Sequence, residues 1–168
     1  MSEKEIVNWS EFKHGPSRFY IAATDKGLCY LGSPNAPFQE LAVWVRKKIP
    51  DAELSENRDA LDPYAQELTE YLEGKRKEFS LKLDLRGTEF QLRVWRELLK
   101  IPFGQTATYT EIAQRIGRED AVRAVGTAIG ANPVLIPVPC HRMLGKHGEW
   151  RGYRGGLEMK AQLLELEK

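Results

Sequence analysis

The chain has 168 residues, of which 42% are hydrophobic and 10% aromatic, enough to bury a core in one large domain or two small ones. Its two cysteines, Cys29 and Cys140, belong to no CxxC pair, so neither a disulfide framework nor a zinc knuckle is indicated. The first ten residues are charged, and no later stretch is long and apolar enough to span a bilayer. These features predict a cytoplasmic protein with no membrane segment.

The formal net charge of +1 conceals an uneven distribution along the chain. Residues 1–84 hold 12 basic and 15 acidic side chains, a net of -3, whereas residues 85–168 hold 13 and 9, a net of +4. A weakly basic second half could face phosphate groups, but a difference this small is also expected by chance. Charge alone therefore neither indicates nor excludes a nucleic-acid partner.

The first half alternates strand and helix patterns. In chain order the predicted elements are a hairpin of strands 19–23 and 28–31, a helix over 38–49, a helix over 63–73 and a strand over 79–83. Pro50 and Gly74 end the two helices. We therefore predict a small N-terminal α/β domain over residues 1–84, with the boundary at about residue 85.

The second half, residues 85–168, is mainly helical. Thr88 is a helix cap, and the helix after it runs to the break at 101–104. Two shorter helices follow, one over 111–116 capped by Thr110 and one over 121–131. Two short helices around a tight turn are typical of a helix-turn-helix, in which the second helix reads DNA, although many ordinary helix pairs share the pattern. The expected class is thus α/β, with a winged helix-turn-helix-like C-terminal domain.

The second of these short helices is almost devoid of bulky side chains. Its small residues are Ala121, Ala124, Gly126, Thr127, Ala128, Gly130 and Ala131. Two glycines inside a helix cost about 1 kcal/mol each relative to alanine, so something must compensate. Either the backbone packs closely against another helix, or it lies in a narrow place such as a DNA minor groove, about 6 Å wide.

The segment 137–142, Pro-Val-Pro-Cys-His-Arg, is the most informative in the chain. Its prolines favour extended geometry at Ile136 and Val138, which predicts a stiff, strand-like setting for Cys140. A thiol near its ordinary pKa of about 8.5 needs a base to become a nucleophile, and His141 is the adjacent candidate. On an extended segment the two side chains point to opposite faces, which favours a bridging water over direct contact. A buried, inert cysteine beside a structural histidine is the alternative.

The motif belongs to an ordered series. The chain contains, in order, FQLRVW at 90–95, GQTATY at 104–109, RAVG at 123–126, NP at 132–133, PCHR at 139–142, GYRGGL at 152–157, and Lys160, Leu163 and Leu164. With this series, residues 88–167 resemble the 6-O-alkylguanine-DNA alkyltransferases, also called methylated-DNA:protein-cysteine methyltransferases. Several motifs in the right order are far more specific than any one alone. Residues 1–84 match that family mainly in expected fold.

The resemblance implies a role for each matched catalytic residue. Cys140 would accept the alkyl group, His141 would act as base through water, and Glu167 would orient the histidine, with Glu165 as the nearby alternative. Asn132 would tie the reading helix to the active-site segment, besides ending that helix before Pro133. Tyr109 would protonate the leaving purine.

The resemblance also implies how DNA is held. Arg123 would fill the stack after the nucleotide is turned out, and Tyr109 would crowd the phosphate of the flipped nucleotide. The implied contact surface is Arg123, Tyr109, Ala124, Gly126, Thr127 and Gly130. The implied pocket consists of Tyr153, Arg154, Gly155, Trp95 and Met143, although a tryptophan such as Trp95 is more typical of the core. Arg154 stands where some relatives carry a small residue, which bears on the tolerance for bulky alkyl groups.

The resemblance implies a DNA repair protein that takes an alkyl group from the 6-oxygen of guanine, and also the 4-oxygen of thymine, once and irreversibly. Its partner would be double-stranded DNA containing alkylated guanine, without a membrane or an obligatory protein partner, and the protein would be a monomer. No cofactor is expected, and no metal, because only Cys29 and His14 remain in the first domain as ligands. The alternatives are a non-catalytic binder of alkyl lesions, which the presence of Cys140 disfavours, and a cysteine hydrolase, which lacks an oxyanion-hole signature.

Overall fold

A computed structural model describes residues 4–168 and divides the chain into two compact units, Met1–Arg86 and Gly87–Lys168. The first unit is a sheet with helices and the second is mainly helical, so the α/β class with a helical C-terminal part is confirmed. Residues 1–3, at the start of the first predicted domain, lie outside the described residues. Within 4–168, no helix is both long enough and apolar enough to cross a membrane.

The first unit is built on a four-stranded sheet. Its elements are β1 (Ile6–His14), β2 (Ser17–Thr24), β3 (Gly27–Leu31), α1 (Phe38–Lys48), β4 (Glu53–Glu56) and α2 (Arg58–Leu72). The strand order is β3-β2-β1-β4, and only the β1–β4 pair is parallel. β2 and β3 form the predicted hairpin, which is therefore confirmed. Gly27 is required in its turn: its φ is +149°, and a Cβ there would lie 2.6 Å from the carbonyl oxygen of Lys82.

The core of this unit follows from the period of two along the strands. Val7 of β1 and Ala22 of β2 lie on the face of the sheet that packs against α1. They belong to a buried cluster of Val7, Ala22, Cys29, Tyr30, Leu41, Val45 and Ile49. Phe12, Phe19 and Ile21 have the other parity and are also buried, while α2 packs against β1 and β2. Cys29 is thus a core residue, and burial raises the pKa of its thiol to about 12.

Several expectations for this unit were wrong. The strands β1 and β4 were not predicted, because half-exposed strands with charged residues carry a weak apolar signal. The predicted strand over 79–83 does not form. Glu67 accepts the backbone N–H groups of Ser80 and Leu81, so these do not join a ladder, and only Leu83 makes a single bridge, to Leu28.

Helix α2 begins five residues earlier than predicted. Asn57 caps it by accepting the N–H of Ala60, and Pro63 lies inside the helix instead of at its start. A proline is most common in the first turn, which misplaced the predicted start. The capping residue Asn57 would have predicted the observed start of the helix.

The second unit comprises α3 (Glu89–Leu98), β5 (Ala107–Thr108), α4 (Tyr109–Arg115), a 3-10 helix (Glu119–Ala121), α5 (Val122–Gly130), a 3-10 helix (Cys140–Arg142), β6 (Met143–Leu144) and α6 (Leu157–Leu166). Thr88 caps α3 in a complete capping box with Gln91. The predicted cap at Thr110 was wrong: Thr108 has the extended backbone of a cap and accepts the N–H of Glu111.

Helices α4 and α5 pack against each other and against α3. α5 buries Val125, Ala128 and Ile129, and the carbonyl oxygen of Ala128 accepts the indole N–H of Trp95 at 2.8 Å. The small residues therefore do allow close helix packing on this side. Strands β5 and β6 pair in parallel, Ala107 with Met143. This pairing joins the start of α4 to the segment that carries Cys140.

Candidate active site

Cys140 opens a single 3-10 turn, Cys140–Arg142, and does not lie on the strand-like segment that was predicted. The turn closes with a hydrogen bond from the Arg142 N–H to the Pro139 carbonyl oxygen, 3.0 Å. Ile136, predicted to be extended, has a φ of +77°, which is rare for a β-branched residue. Its side chain is buried, so packing holds this strained backbone in place. The rigidity of the cysteine's setting thus comes from tertiary packing as well as from the prolines.

The Cys140 thiol is buried and is linked directly to the end of α5. The side-chain amide of Asn132, two residues after α5, donates to the sulfur at 3.2 Å and to the Val138 carbonyl oxygen at 2.9 Å. The amide oxygen of Asn132 accepts the N–H of Val134 at 2.9 Å. All polar atoms of the Asn132 side chain are therefore used to hold the 134–140 segment against the helix end.

His141 contacts a buried carboxylate from the C-terminal end of the unit. Its Nε2 lies 2.7 Å from Glu167 Oε2. The Arg142 guanidinium binds the same carboxylate, with its Nε donating to Oε1 at 2.8 Å. The Arg142 Nη1 also donates to the Ile101 carbonyl oxygen at 2.7 Å. Glu165 is exposed instead, and pairs with Lys168. The structure thus brings Glu167, not Glu165, to the histidine.

The electrostatics of this array favour a neutral resting pair. Burial raises the pKa of the Cys140 thiol, against the Asn132 hydrogen bond and the positive charges of Arg154 and Lys160. Burial lowers the pKa of His141, against the pull of Glu167. With Nε2–H donated to the carboxylate, Nδ1 is the unprotonated nitrogen. Nδ1 makes no hydrogen bond within residues 4–168, so it can accept a proton.

The role of Lys160 could not be derived from the sequence, where it appeared only as part of a motif. It is 1% exposed, and its ammonium donates to the Met143 carbonyl oxygen at 2.6 Å. Burial lowers its pKa, and the nearby Cys140 opposes this. Likewise, the sequence showed Arg142 only as part of the PCHR motif and did not indicate its role. Buried charges of this kind are retained only with partners, and periodicity along the chain does not reveal them.

Tyr109, the first residue of α4, is half-buried close to the cysteine. Burial raises the pKa of its phenol, and Cys140 adds to this effect while Arg151 opposes it. A Cβ on Gly126 would lie 3.7 Å from the Tyr109 ring, so this glycine lies beside the tyrosine ring. The predicted members Tyr109 and Gly126 thus lie together at one edge of α5.

The residues on the outer face of α5 are exposed and have small side chains, except for Arg123. Arg123, Ala124, Thr127 and Gly130 are all exposed, and a Cβ on Gly130 would meet no atom within 4 Å. Arg123, Ala124 and Thr127 also line an open groove of about 680 Å³ between α5 and the start of α3. The structure therefore places these predicted residues on one accessible face.

The predicted pocket residues divide into two groups. Tyr153 contacts the active site, with its ring 6.4 Å from that of His141, and a Cβ on Gly155 would lie 2.6 Å from the Tyr153 ring. Met143 is buried directly after the cysteine turn. Trp95 lies instead in the core under α5, and the Arg154 side chain reaches the Asn132 carbonyl oxygen at 3.1 Å. Within the described residues, no group of three or more His, Cys, Asp or Glu side chains could hold a metal ion.

Fold and site together define a class: a helix-turn-helix protein in which a buried Cys–His–Glu array lies directly behind the second helix. Family models match both parts of the chain: the 6-O-methylguanine DNA methyltransferase ribonuclease-like domain over residues 16–85, and the DNA binding domain of the same family over residues 89–168. The chain belongs to the 6-O-methylguanine DNA methyltransferase family.

Individual relatives agree with this assignment. The chain is 54% identical over 167 residues to the inducible methylated-DNA–protein-cysteine methyltransferase of Bacillus subtilis, covering 99% of this chain and 93% of the relative. It is 46% identical to the corresponding protein of Methanosarcina barkeri, covering 88% and 89%. Among solved structures, Mycobacterium tuberculosis OGT in complex with DNA superposes with a TM-score of 0.80 at 37% identity, covering 97% of this chain and 92% of that one.

Proposed function

We propose that the protein repairs double-stranded DNA by moving the alkyl group from the 6-oxygen of guanine, and also from the 4-oxygen of thymine, to the sulfur of Cys140. The observation that carries the proposal is the array itself. A buried thiol lies beside a neutral histidine whose Nε2 is held by Glu167, and Asn132 ties that thiol to the end of α5. A relative with 54% identity is a methylated-DNA–protein-cysteine methyltransferase.

The array accounts for the proton movements of the reaction. His141 Nδ1 takes the thiol proton through a bridging water, and Glu167 stabilises the imidazolium that forms. The sulfur bonds to the alkyl carbon as the carbon–oxygen bond breaks, and the guanine leaves after Tyr109 donates its phenolic proton to the purine. Because burial favours both the neutral thiol and the neutral imidazole, the thiolate is a minor form at rest, and the attack on the alkyl carbon draws it from the neutral pair.

DNA binding follows from the accessible face of α5. The alkylated oxygen is inside the duplex, so the nucleotide must be turned out, at a cost of a few kcal/mol. Arg123 fills the vacated stack, Tyr109 contacts the phosphate of the flipped nucleotide, and the small residues Ala124, Gly126, Thr127 and Gly130 let the backbone approach the minor groove. Tyr153 and Gly155 line the pocket for the base.

The thioether product has no activated leaving group, so each molecule reacts once. All residues of the array lie in the second unit. We propose a monomer in which residues 85–168 bind DNA and transfer the alkyl group, and residues 1–84 form a separate domain. A free thiol acceptor is suited to the reducing cytoplasm.

Incubation with duplex DNA containing 6-O-methylguanine tests the proposed function. The tryptic peptide from Ala124 to Arg142 should gain the mass of one methylene, because of the two cysteines only Cys140 lies beside a base, His141. Cys140→Ser should gain nothing. The matched control is Cys29, whose buried thiol should stay unmodified. Equal labelling of Cys29, or no labelling at all, would contradict the proposal.

The alkylated protein should melt at a lower temperature than the unmodified one, and the benzyl adduct lower than the methyl adduct. Cys140 is 5% exposed and its sulfur accepts the Asn132 amide, so an added group crowds a packed site and weakens that hydrogen bond. Extra methylenes in a packed site cost about 1–3 kcal/mol. Thermal unfolding of the three forms at equal concentration measures this, with Cys140→Ser treated identically as control. Unchanged melting of both adducts would refute the idea.

A further inference from the structure

The side chain of Arg154 makes a contact that the GYRGGL motif alone does not predict. It lies in the segment between β6 and α6, is half-buried, and its Nε donates to the backbone carbonyl oxygen of Asn132 at 3.1 Å. The side-chain amide of the same Asn132 donates to Cys140 Sγ at 3.2 Å. Asn132, just after the end of α5, therefore accepts a hydrogen bond from Arg154 through its backbone and donates one to the sulfur through its side chain.

Other titratable groups also surround the cysteine. Lys160 approaches from α6 and Tyr109 from the start of α4, while His141 follows in the same turn with Glu167 and Arg142 behind it. The carboxylate of Glu167 is already shared by Arg142 and His141, so its negative charge is largely balanced. The cations that favour a negative sulfur are therefore Arg154 and Lys160. Of these, only Arg154 is also bonded to the residue that holds the sulfur.

We propose that Arg154 is a positioning residue for the alkyl transfer: it locks the pocket segment onto the Asn132 carbonyl and places a fixed positive charge near the sulfur as negative charge develops there. The inference rests on the proposed function, in which Cys140 is the nucleophile. It also explains how a long side chain is compatible with a pocket: Arg154 is directed to the backbone at the end of α5.

Arg154→Met keeps much of the side-chain volume and removes both the charge and the donor. Two rates are measured across pH: transfer from free benzylated guanine, and modification of Cys140 by iodoacetamide, read on the peptide from Ala124 to Arg142. Loss of a cation disfavours the thiolate, so both profiles should move to higher pH, and the reaction at pH 7 should slow about tenfold. A purely structural role would lower the rates at every pH without moving the profiles.

Two further variants make the test specific. Arg154→Lys keeps a positive charge, so its pH–rate profiles should lie close to those of the wild-type protein. Arg115→Met removes an exposed arginine paired with Glu111, and its profiles should match wild type. Unmoved profiles in Arg154→Met, a lysine variant no better than methionine, or an equal shift in Arg115→Met would each overturn the inference. The iodoacetamide measurement needs no alkylguanine. If Arg154→Met shifts that profile while the wild-type protein accepts no methyl group, the proposed function alone is overturned.

Discussion

Glu167→Gln is expected to lower the free energy of unfolding by about 3–5 kcal/mol, the usual cost of removing one partner of a buried ion pair. The carboxylate is 3% exposed and is gripped by the Arg142 guanidinium, 2.8 Å away, and by His141. An amide can replace the shape but not the charge, so the guanidinium would remain buried without a counter-ion. The loss is a large part of a typical stability of about 5–15 kcal/mol.

The same change should slow methyl transfer about 100-fold, because the imidazolium formed during attack loses its stabilising carboxylate. Chemical denaturation measures the first effect, and single-turnover reaction with methylated duplex DNA, below the unfolding transition, measures the second. Glu165→Gln is the matched control: that carboxylate is exposed and two residues away, and its loss should change neither quantity measurably. A Glu167→Gln protein as stable and as reactive as wild type would exclude the array as the catalytic base system.

Arg123→Ala is expected to slow repair of duplex DNA about 100-fold while leaving reaction with free benzylated guanine nearly unchanged. Turning out a nucleotide costs a few kcal/mol, and a side chain that fills the gap offsets part of that cost. Arg123 is exposed on α5 beside Ala124 and Thr127, so its removal should leave the buried site intact. The free base needs no flipping, and its rate therefore isolates the chemical step.

Single-turnover rates on the two substrates, measured side by side, test this prediction. Arg96→Ala removes an exposed arginine from α3 that is outside the groove beside α5, and both of its rates should match wild type. Equal losses of Arg123→Ala on duplex and free base would remove Arg123 from the flipping role. A loss on duplex DNA that high protein concentration fully restores would indicate simple phosphate binding.

Elements with strong local signals were predictable from the sequence. The hairpin β2–β3 has two apolar runs around a Gly turn, and α3 has a threonine cap with glutamine three residues later. Both signals act within a few residues, so the chain carries them without reference to its fold. The ordered motifs around Cys140 were sufficient, in the same way, for the family resemblance.

Predictions failed where a distant group changed the local outcome. The alternating segment 79–83 is not a strand because the Glu67 carboxylate takes its N–H groups, and β4 forms because β1 lies beside it. Ile136 adopts a positive φ where the following proline favours an extended backbone. Strand pairing and backbone strain depend on tertiary neighbours, which periodicity does not report.

The sequence by itself determined which residue types the site contains: a cysteine beside a histidine, and a short helix of small residues with one arginine. Only the tertiary structure decided their partners. It brought Glu167, not Glu165, to His141 and buried Lys160 against the Met143 carbonyl oxygen. It also placed Trp95 in the core and directed Arg154 to the carbonyl oxygen of Asn132. The physical reason is separation along the chain: the bond from His141 to Glu167 joins residues 26 positions apart, and such pairs form only when the packing of several elements brings them together.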